Sequence, residues 1–376
     1  AIDKLEKDWE QYHVLHFSLG TAKMGTVDDL YTQLNLQLSW IEENSGIDNS
    51  RMSSPGARMQ ADVLELYRKT GKKSVILIDE YDSPMLTVLH DNEKLELMRT
   101  ALQSFYAPLK DLNPYLRFVF ITGITKFSQL SIFSQINNLV KISMMPAYSA
   151  ICGITQDELE SCFRDGIAGL AEGNGMTEAE VIATLKRKYD GYHFSSKSPG
   201  VYNPFSLLSA MDSRELHNYW FDTGTPVFLL SQIRKFHTDI TAVDGSMADA
   251  AEFDAPTENM HSILPLLYQS GYLTIKDYNP RRNTYLLDFP NREVRSGFIT
   301  VLASDYFGGG NEGSSNWLQT ATDDLEAGRT EAFILRMKSL LASVSHRLLR
   351  KGMPFECERH FHASFYLILQ MVGSYT

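Results

Sequence analysis

Four aliphatic residues in a row, Val75, Ile76, Leu77 and Ile78, run into two adjacent carboxylates, Asp79 and Glu80, within the segment KKSVILIDEYD at 72–82. Apolar side chains at consecutive positions leave a strand without a solvent face. Such a strand belongs inside a parallel sheet with helices covering both sides. The two acids then fall at its carboxyl end, where open α/β sheets place their ligands. Two readings of the pair stand side by side. Asp79 holds Mg²⁺ while Glu80 orients and deprotonates a water, or the strand simply closes in a solvated acidic turn.

The flanking segments agree with a parallel sheet. A helix with apolar positions Met59, Val63, Leu66 and Tyr67 precedes the strand and stops near Gly71, which suits a left-handed cap. Residues 92–112 carry helical apolar spacing, and a second continuous apolar run follows at 117–123. Strand, helix and strand at this distance predict a right-handed crossover unit. Thr122 ends the second run, where its hydroxyl either senses a phosphate or satisfies a backbone group. An apolar run ending in Asp-Glu is also the Walker B pattern of P-loop ATPases.

The strings VILIDEYDSPML, FYAPLK, FVFITGITKFSQLSIFSQINNL, YSAICGIT, YDGYHF, VYNPFSLL, YWFDTGTP, LLYQSGYLTIKDY and FPNREV resemble, in order and spacing, bacterial AAA-ATPase-like proteins. In that family an AAA+-type ATPase region precedes a nuclease-like region of the PD-(D/E)XK type. The resemblance implies an α/β fold: a P-loop NTPase-type parallel sheet with a helical lid, a winged-helix-like domain and the start of a nuclease-like domain. The corresponding spans are an ATPase core at 1–150, the lid at 151–225, the winged-helix-like domain at 226–306, and linker helices with a truncated nuclease-like start at 307–376. ATP and Mg²⁺ are the implied cofactors, with Asp79 on the metal, Glu80 activating water and Thr122 sensing the γ-phosphate. Lys126 matches a lysine in the family's T-G-x-[ST]-K-F-S string and is implied as a phosphate or subunit contact, although a loop lysine is commonly just solvated. Arg187 or Lys188 is implied as the lid's phosphate contact, and both also read as a basic helix end favoured by the helix dipole. Self-assembly, with an arginine finger lent by a neighbouring copy, belongs to the same implication.

Two departures limit what the resemblance carries. Family members place a phosphate loop ending in Gly-Lys-Ser or Gly-Lys-Thr before the strand that here reads HVLHFSL at 13–19. No GxxxxGK[ST] occurs in the chain, and GTAKMGT at 20–26 lacks the spacing and follows the wrong strand. Without that cradle of N–H groups and its lysine, weak or no ATP binding is expected unless an upstream piece completes the site. At the other end, 355–373 resembles the helix that opens the nuclease-like region, with Glu358 matching an acid on it. The metal-binding Asp and the Glu-x-Lys pair that should follow are not in this sequence, so the chain alone is not expected to cut nucleic acid. The competing reading is a scaffold or partner-binding protein whose ATPase site has decayed.

Capping signals organise the remainder. Thr155 with Glu158 and Thr177 with Glu180 form capping boxes that predict helices over 156–171 and 178–190. Asn203-Pro204 and Thr225-Pro226 each set a capping side chain before a first-turn proline. A short helix at 260–268, strands at 272–276 and 285–289 and a helix from 292 predict a winged-helix-like arrangement. Arg281 and Arg282 sit at the tip of its wing, as nucleic-acid contacts or as an ordinary soluble tip. Tyr189, Tyr192, His193 and Phe194 suit either an adenine stack or core packing. Cys357, His360 and His362 crowd one helix, but 362 turns away from 357 and 360, so no metal is expected there.

A net charge of −11 argues against nucleic-acid binding over the whole surface. Three scattered cysteines give no disulfide framework and point to a reducing compartment. No stretch approaches the roughly 20 apolar residues of a membrane span, and the start lacks a secretory signal, so a cytoplasmic protein without membrane contact is expected. Ala1 in place of Met fits trimming or a start within a longer frame.

Overall fold

The computed structural model of the chain describes residues 7–20, 24–124, 139–220, 232–233, 243–253, 262–307, 311–348 and 354–375. Its contacts fall into two compact units, Ala1–Val140 with Asp254–Met260, and Lys141–Phe253 with His261–Thr376.

The first unit is built on three parallel strands, β1 (His13–Ser18), β2 (Ser74–Asp79) and β3 (Leu116–Ile121), in the order β1-β2-β3. Helices α1 (Val27–Ser45) and α2 (Pro55–Thr70) connect β1 to β2. The short α3 (Ser83–Thr87) and α4 (Asn92–Tyr106) connect β2 to β3. Each long helix starts at a side-chain cap: Thr26 in a capping box with Asp29, Ser54 ahead of Pro55, and Asp91 accepting from the Lys94 amide. Helix α2 stops at Gly71 with φ 69°, as its sequence predicts.

Register decides which side chains share a face. Leu15 aligns with Ile76 and Val119, and Phe17 with Ile78 and Ile121. This face meets Leu30, Leu34 and Leu38 of α1, Met59, Val63 and Leu66 of α2, and Met98, Leu102 and Phe105 of α4 in one core. The opposite face carries Val14, His16, Val75, Leu77, Phe118 and Phe120. There Val14 is 53% and Phe118 52% exposed, while Val75, Leu77 and Phe120 are half-buried. Burial on both faces, expected from the aliphatic run, is therefore found on one face only. The strand order explains this. When strands advance in one direction, each right-handed crossover returns its helices to the same side.

A buried ion pair ties α1 to α2. Arg58 donates from Nε and Nη2 to the two oxygens of Glu42 at 2.7 and 2.6 Å, and also to Ser39 Oγ at 2.9 Å. Asp62 lies beside the pair with no exposed surface and accepts from Asn49 Nδ2 at 3.0 Å.

In the second unit, α5 (Gln156–Cys162), α6 (Arg164–Asn174), α7 (Glu178–Tyr189) and α8 (Pro204–Ser213) enclose a core of Leu159, Ile167, Leu170, Val181, Leu185, Tyr189, Tyr202 and Leu207. Both predicted capping boxes form, and Asn203 caps α8. The helix expected over 156–171 is instead two, because Phe163 leaves helical geometry at φ −118°, ψ 28°. A second sheet follows, antiparallel in the order β4-β6-β5, from β4 (Ser246–Asp249), β5 (Thr274–Asn279) and β6 (Thr284–Asp288). Helix α9 (Leu264–Gln269) precedes β5, and α10 (Arg292–Phe307) follows β6. The expected helix, hairpin and helix are present, and β4 adds a strand whose Ser-Met-Ala-Asp sequence carries little β preference. Helices α11 (Asn311–Glu326), α12 (Thr330–Leu348) and α13 (Pro354–Tyr375) complete the chain, with α13 packed along α10. No helix among the described residues is long and apolar enough to cross a membrane.

Candidate functional site

The acids of the KKSVILIDEYD segment stand at the carboxyl end of β2, between β1 and β3. Backbone bonds run past the strand ends and grip both neighbours. The Leu19 amide donates to Asp79 O at 3.0 Å, the Thr122 amide to Ile78 O at 2.8 Å, and the Tyr81 amide to Thr122 O at 3.0 Å. Between these anchors Glu80 takes φ +52°, a left-handed conformation that costs an L-residue about 1 kcal/mol or more.

Each acid has a protein neighbour. Asp79 is exposed, and its Oδ1 accepts a short hydrogen bond from Thr122 Oγ1 across the adjacent strand end. The Glu80 side chain folds back over Gly20, where an added Cβ would lie 1.4 Å from Glu80 Oε2. A side chain at 20 would displace the Glu80 carboxylate from this position. Burial, followed by the charges of Asp79 and Asp82, holds the Glu80 carboxyl above its ordinary pKa. Asp82 is fully buried, and its Oδ1 accepts from the Ile124 amide at 3.2 Å. Gly123 permits that contact, since a Cβ there would sit 2.5 Å from the Tyr81 ring and 2.6 Å from Asp82 Oδ1. Beneath lies Tyr106, whose phenol burial keeps neutral, with Tyr81 and Asp82 adding to the effect.

The sequence-derived residues distribute as follows. Asp79, Glu80 and Thr122 come together at adjoining ends of parallel strands. Lys126 lies outside the described residues. Arg187 belongs to the second unit, where it is exposed and donates to Thr184 Oγ1 at 3.3 Å beside a shallow hollow of about 500 Å³ lined also by Met176, Glu180 and Lys186. Lys188 is half-buried, with its Nζ donating to Leu216 O at 2.6 Å and burial lowering its pKa. It secures a backbone turn. Tyr189 is core, its hydroxyl bonded to His217 O at 2.6 Å, and Tyr192 stacks on Phe194 with centroids 6.4 Å apart. His193 exchanges hydrogen bonds with Thr274 through its backbone N–H and C=O. Arg281 and Arg282 stand exposed at the β5–β6 tip, their amides both bonded to Asn279 Oδ1. His362 is exposed on α13, and the side chains of Cys357, Glu358 and His360 lie outside the described residues, as does Thr225.

Whether Mg²⁺ and ATP fit these residues is decided by the donors present. Among the described residues no group of three or more His, Cys, Asp or Glu could hold a metal ion. One oxygen of Asp79 is taken by Thr122, the Glu80 carboxylate lies against Gly20, and Asp82 is turned into the protein. Among the described residues, these strand-end acids do not converge on a common metal position.

Sequence reasoning overlooked several of these roles. Asp82 reads as part of an acidic turn, and only the three-dimensional return of β3 brings Ile124 to it. Glu293, at the start of α10, is completely buried and accepts from the amides of Tyr219 and Trp220 at 2.6 and 3.1 Å. Its sequence setting, FPNREV, signals only an acid in a first helical turn.

Residues 1–133 match the family profile described as "Predicted AAA-ATPase". Over 374 residues the chain is 30% identical to a protein described as "Uncharacterized protein in vnfD 5'region" from Azotobacter chroococcum mcd 1, covering 97% of this chain and 69% of that relative. No solved structure matches it. With a family profile over the strand-and-acid region and a relative aligned along almost the whole length, the chain belongs to the predicted AAA-ATPase family.

Proposed function

We propose that this chain serves as a binding module of a larger protein, an AAA-ATPase-like sheet that engages a partner without hydrolysing ATP itself. The observation that carries this reading is that two of the strand-end acids are turned onto the protein, Glu80 to Gly20 and Asp82 to Ile124. A site waiting for Mg²⁺ would leave such oxygens converging on open space. The test is thermal unfolding and calorimetric titration of the chain with Mg-ATP. A ligand present at 100 times its Kd would stabilise the fold by about 2.7 kcal/mol. No shift and no binding heat are expected, whereas a Mg²⁺-dependent shift abolished in Asp79→Ala would overturn the reading.

A second reading has one observation in its favour, the Asp79–Thr122 contact at neighbouring strand ends. In it a longer protein supplies its own phosphate loop, Asp79, Glu80 and Thr122 serve ATP hydrolysis, Lys126 and Arg187 contact phosphates, and turnover controls a nuclease-like region. It predicts ATP turnover from the longer protein that Glu80→Gln removes while the fold is retained.

A further inference from the structure

Two carboxyl groups meet where the antiparallel sheet turns toward α10. Asp244 stands just ahead of β4 and Asp288 ends β6, and the register that pairs Ser246 with Leu287 brings them to neighbouring strand ends. Gly245, at φ 71°, turns the chain between Asp244 and the strand. The Asp288 carboxyl lies against that of Asp244 and also accepts from the Phe289 amide at 2.6 Å. Asp244 is paired in turn with the Arg295 guanidinium of α10, which sits over the Phe289 ring at 5.8 Å. Tyr366 of α13 brings its hydroxyl against the same guanidinium. Lys276 of β5 also faces Asp288, but its Nζ donates to Pro290 O at 3.2 Å and Gly191 O at 3.5 Å. A single chain of polar contacts thus joins the sheet, α10 and α13.

Charge decides how firmly these contacts hold. Two ionised carboxylates in contact repel, and one part-exposed guanidinium offsets only one of them. A proton between the acids turns the repulsion into a hydrogen bond and leaves the Asp244 charge for Arg295. Burial first, and then the contact with Asp244, outweighs the Phe289 amide and raises the Asp288 carboxyl from 3.8 to about 6. An acid raised in this way contributes fully below its unfolded value near 3.8 and loses that contribution as pH climbs through about 6. At the far end of the contacts is α13, which packs along α10 with Ala363, Leu367, Ile368, Met371 and Val372 buried. Tyr366 is its link to Arg295.

We propose that Asp244 and Asp288 form a proton-held clasp that fastens α13 to α10 and the β4–β6 ladder, closed while the pair shares one proton and loosened when both acids ionise. On ionisation the proton passes to solvent and Asp244 is pushed outward on its glycine turn. Arg295 follows its partner, and Tyr366 loses the guanidinium it rests on. The apolar side of α13 is then held by packing alone.

The test is hydrogen exchange of the 376-residue chain between pH 5 and pH 8, with rates corrected for the intrinsic effect of pH. An acid raised from 3.8 to about 6 shifts an equilibrium that depends wholly on it by about tenfold over this range, and solvent screening of a part-exposed pair reduces the figure. Protection of peptides from 362–373 is therefore expected to fall about three- to tenfold, levelling off above about pH 7, while peptides of α6 and α7 hold steady. Asp288→Asn keeps an N–H donor beside Asp244 at every pH and should flatten the profile of 362–373. A flat profile in the unsubstituted chain overturns the proposal, as does a fall in Asp288→Asn that matches it. A fall shared equally by α6 and α7 also overturns it, because the effect would then belong to global unfolding. If Asp288→Asn does not fold, an NMR titration of the Asp288 carboxyl in the unsubstituted chain decides: a midpoint of about 6 supports the clasp, and one at the ordinary value near 3.8 refutes it.

Discussion

Replacing Asp62 by Asn isolates a proton that the α1–α2 interface holds near neutral pH. Asp62 has no exposed surface, and its Oδ2 faces no donor. Burial chiefly, with the adjacent Glu42 carboxylate reinforcing it against the Asn49 hydrogen bond, lifts its pKa from 3.8 to about 7. A proton on Oδ2 turns the contact with Glu42 into a hydrogen bond, so the neutral acid is the form that fits. An acid with a raised folded pKa contributes fully below its unfolded value near 3.8, and loses that contribution as pH climbs through about 7. Between pH 5 and pH 8 the loss comes to about 2–3 kcal/mol, taking about 1.4 kcal/mol per pKa unit. Asp62→Asn keeps the acceptor for Asn49 and offers Glu42 an N–H donor at every pH. Urea unfolding at pH 5, 6, 7 and 8, read through hydrogen exchange of α1 and α2 peptides, compares the two proteins. The wild type should lose about 2–3 kcal/mol more than the variant over that range, with the divergence concentrated below pH 7. Parallel pH profiles would refute the reasoning, since the other titrating groups are common to both.

Three further substitutions probe close contacts. Glu293→Ala removes the acceptor of two backbone amides and should lower stability by about 2–3 kcal/mol in urea titration, and a cost under about 0.5 kcal/mol would show that water replaces it. Gly20→Ala meets only the flexible end of Glu80, so it should cost less than about 1 kcal/mol while an NMR titration shows the Glu80 pKa falling toward its ordinary value. Gly123→Ala drives a Cβ into the buried Tyr81 ring and should cost about 1–3 kcal/mol, and an effect no larger than that of Gly20→Ala would contradict the packing.

Features encoded by neighbours in the chain were legible before the fold was known. The four aliphatics of β2, the capping boxes at Thr155 and Thr177, the Asn203 cap and the Gly71 stop all act within a few residues of themselves. Asp79 and Thr122 were also placed correctly at strand ends, because two apolar runs separated by a helix leave little choice. What escaped depends on partners far along the chain. Aliphatic runs predict burial but not strand order, and it is the order β1-β2-β3 that leaves Phe118 uncovered. Gly20 reads as a glycine in a segment without phosphate-loop spacing, and nothing near it in sequence announces that Glu80, sixty positions later, lies on it. Asp62 reads as a solvated helix acid because Glu42 and Asn49 reach it from other segments. The division at Phe163 had no Gly or Pro to announce it.

The contact of Glu80 with Gly20 makes two distant positions answerable to one another. The carboxylate can lie there only while position 20 has no side chain, and the left-handed turn at 80 aims it there. A homologue with Ser or Ala at 20 must therefore carry a shorter residue at 80, or release the acid outward into the space above the strand ends. Such a homologue would have its second carboxylate free beside Asp79, and the difference between an idle acidic corner and a metal-ready one would come down to a single methyl group on the neighbouring strand's exit.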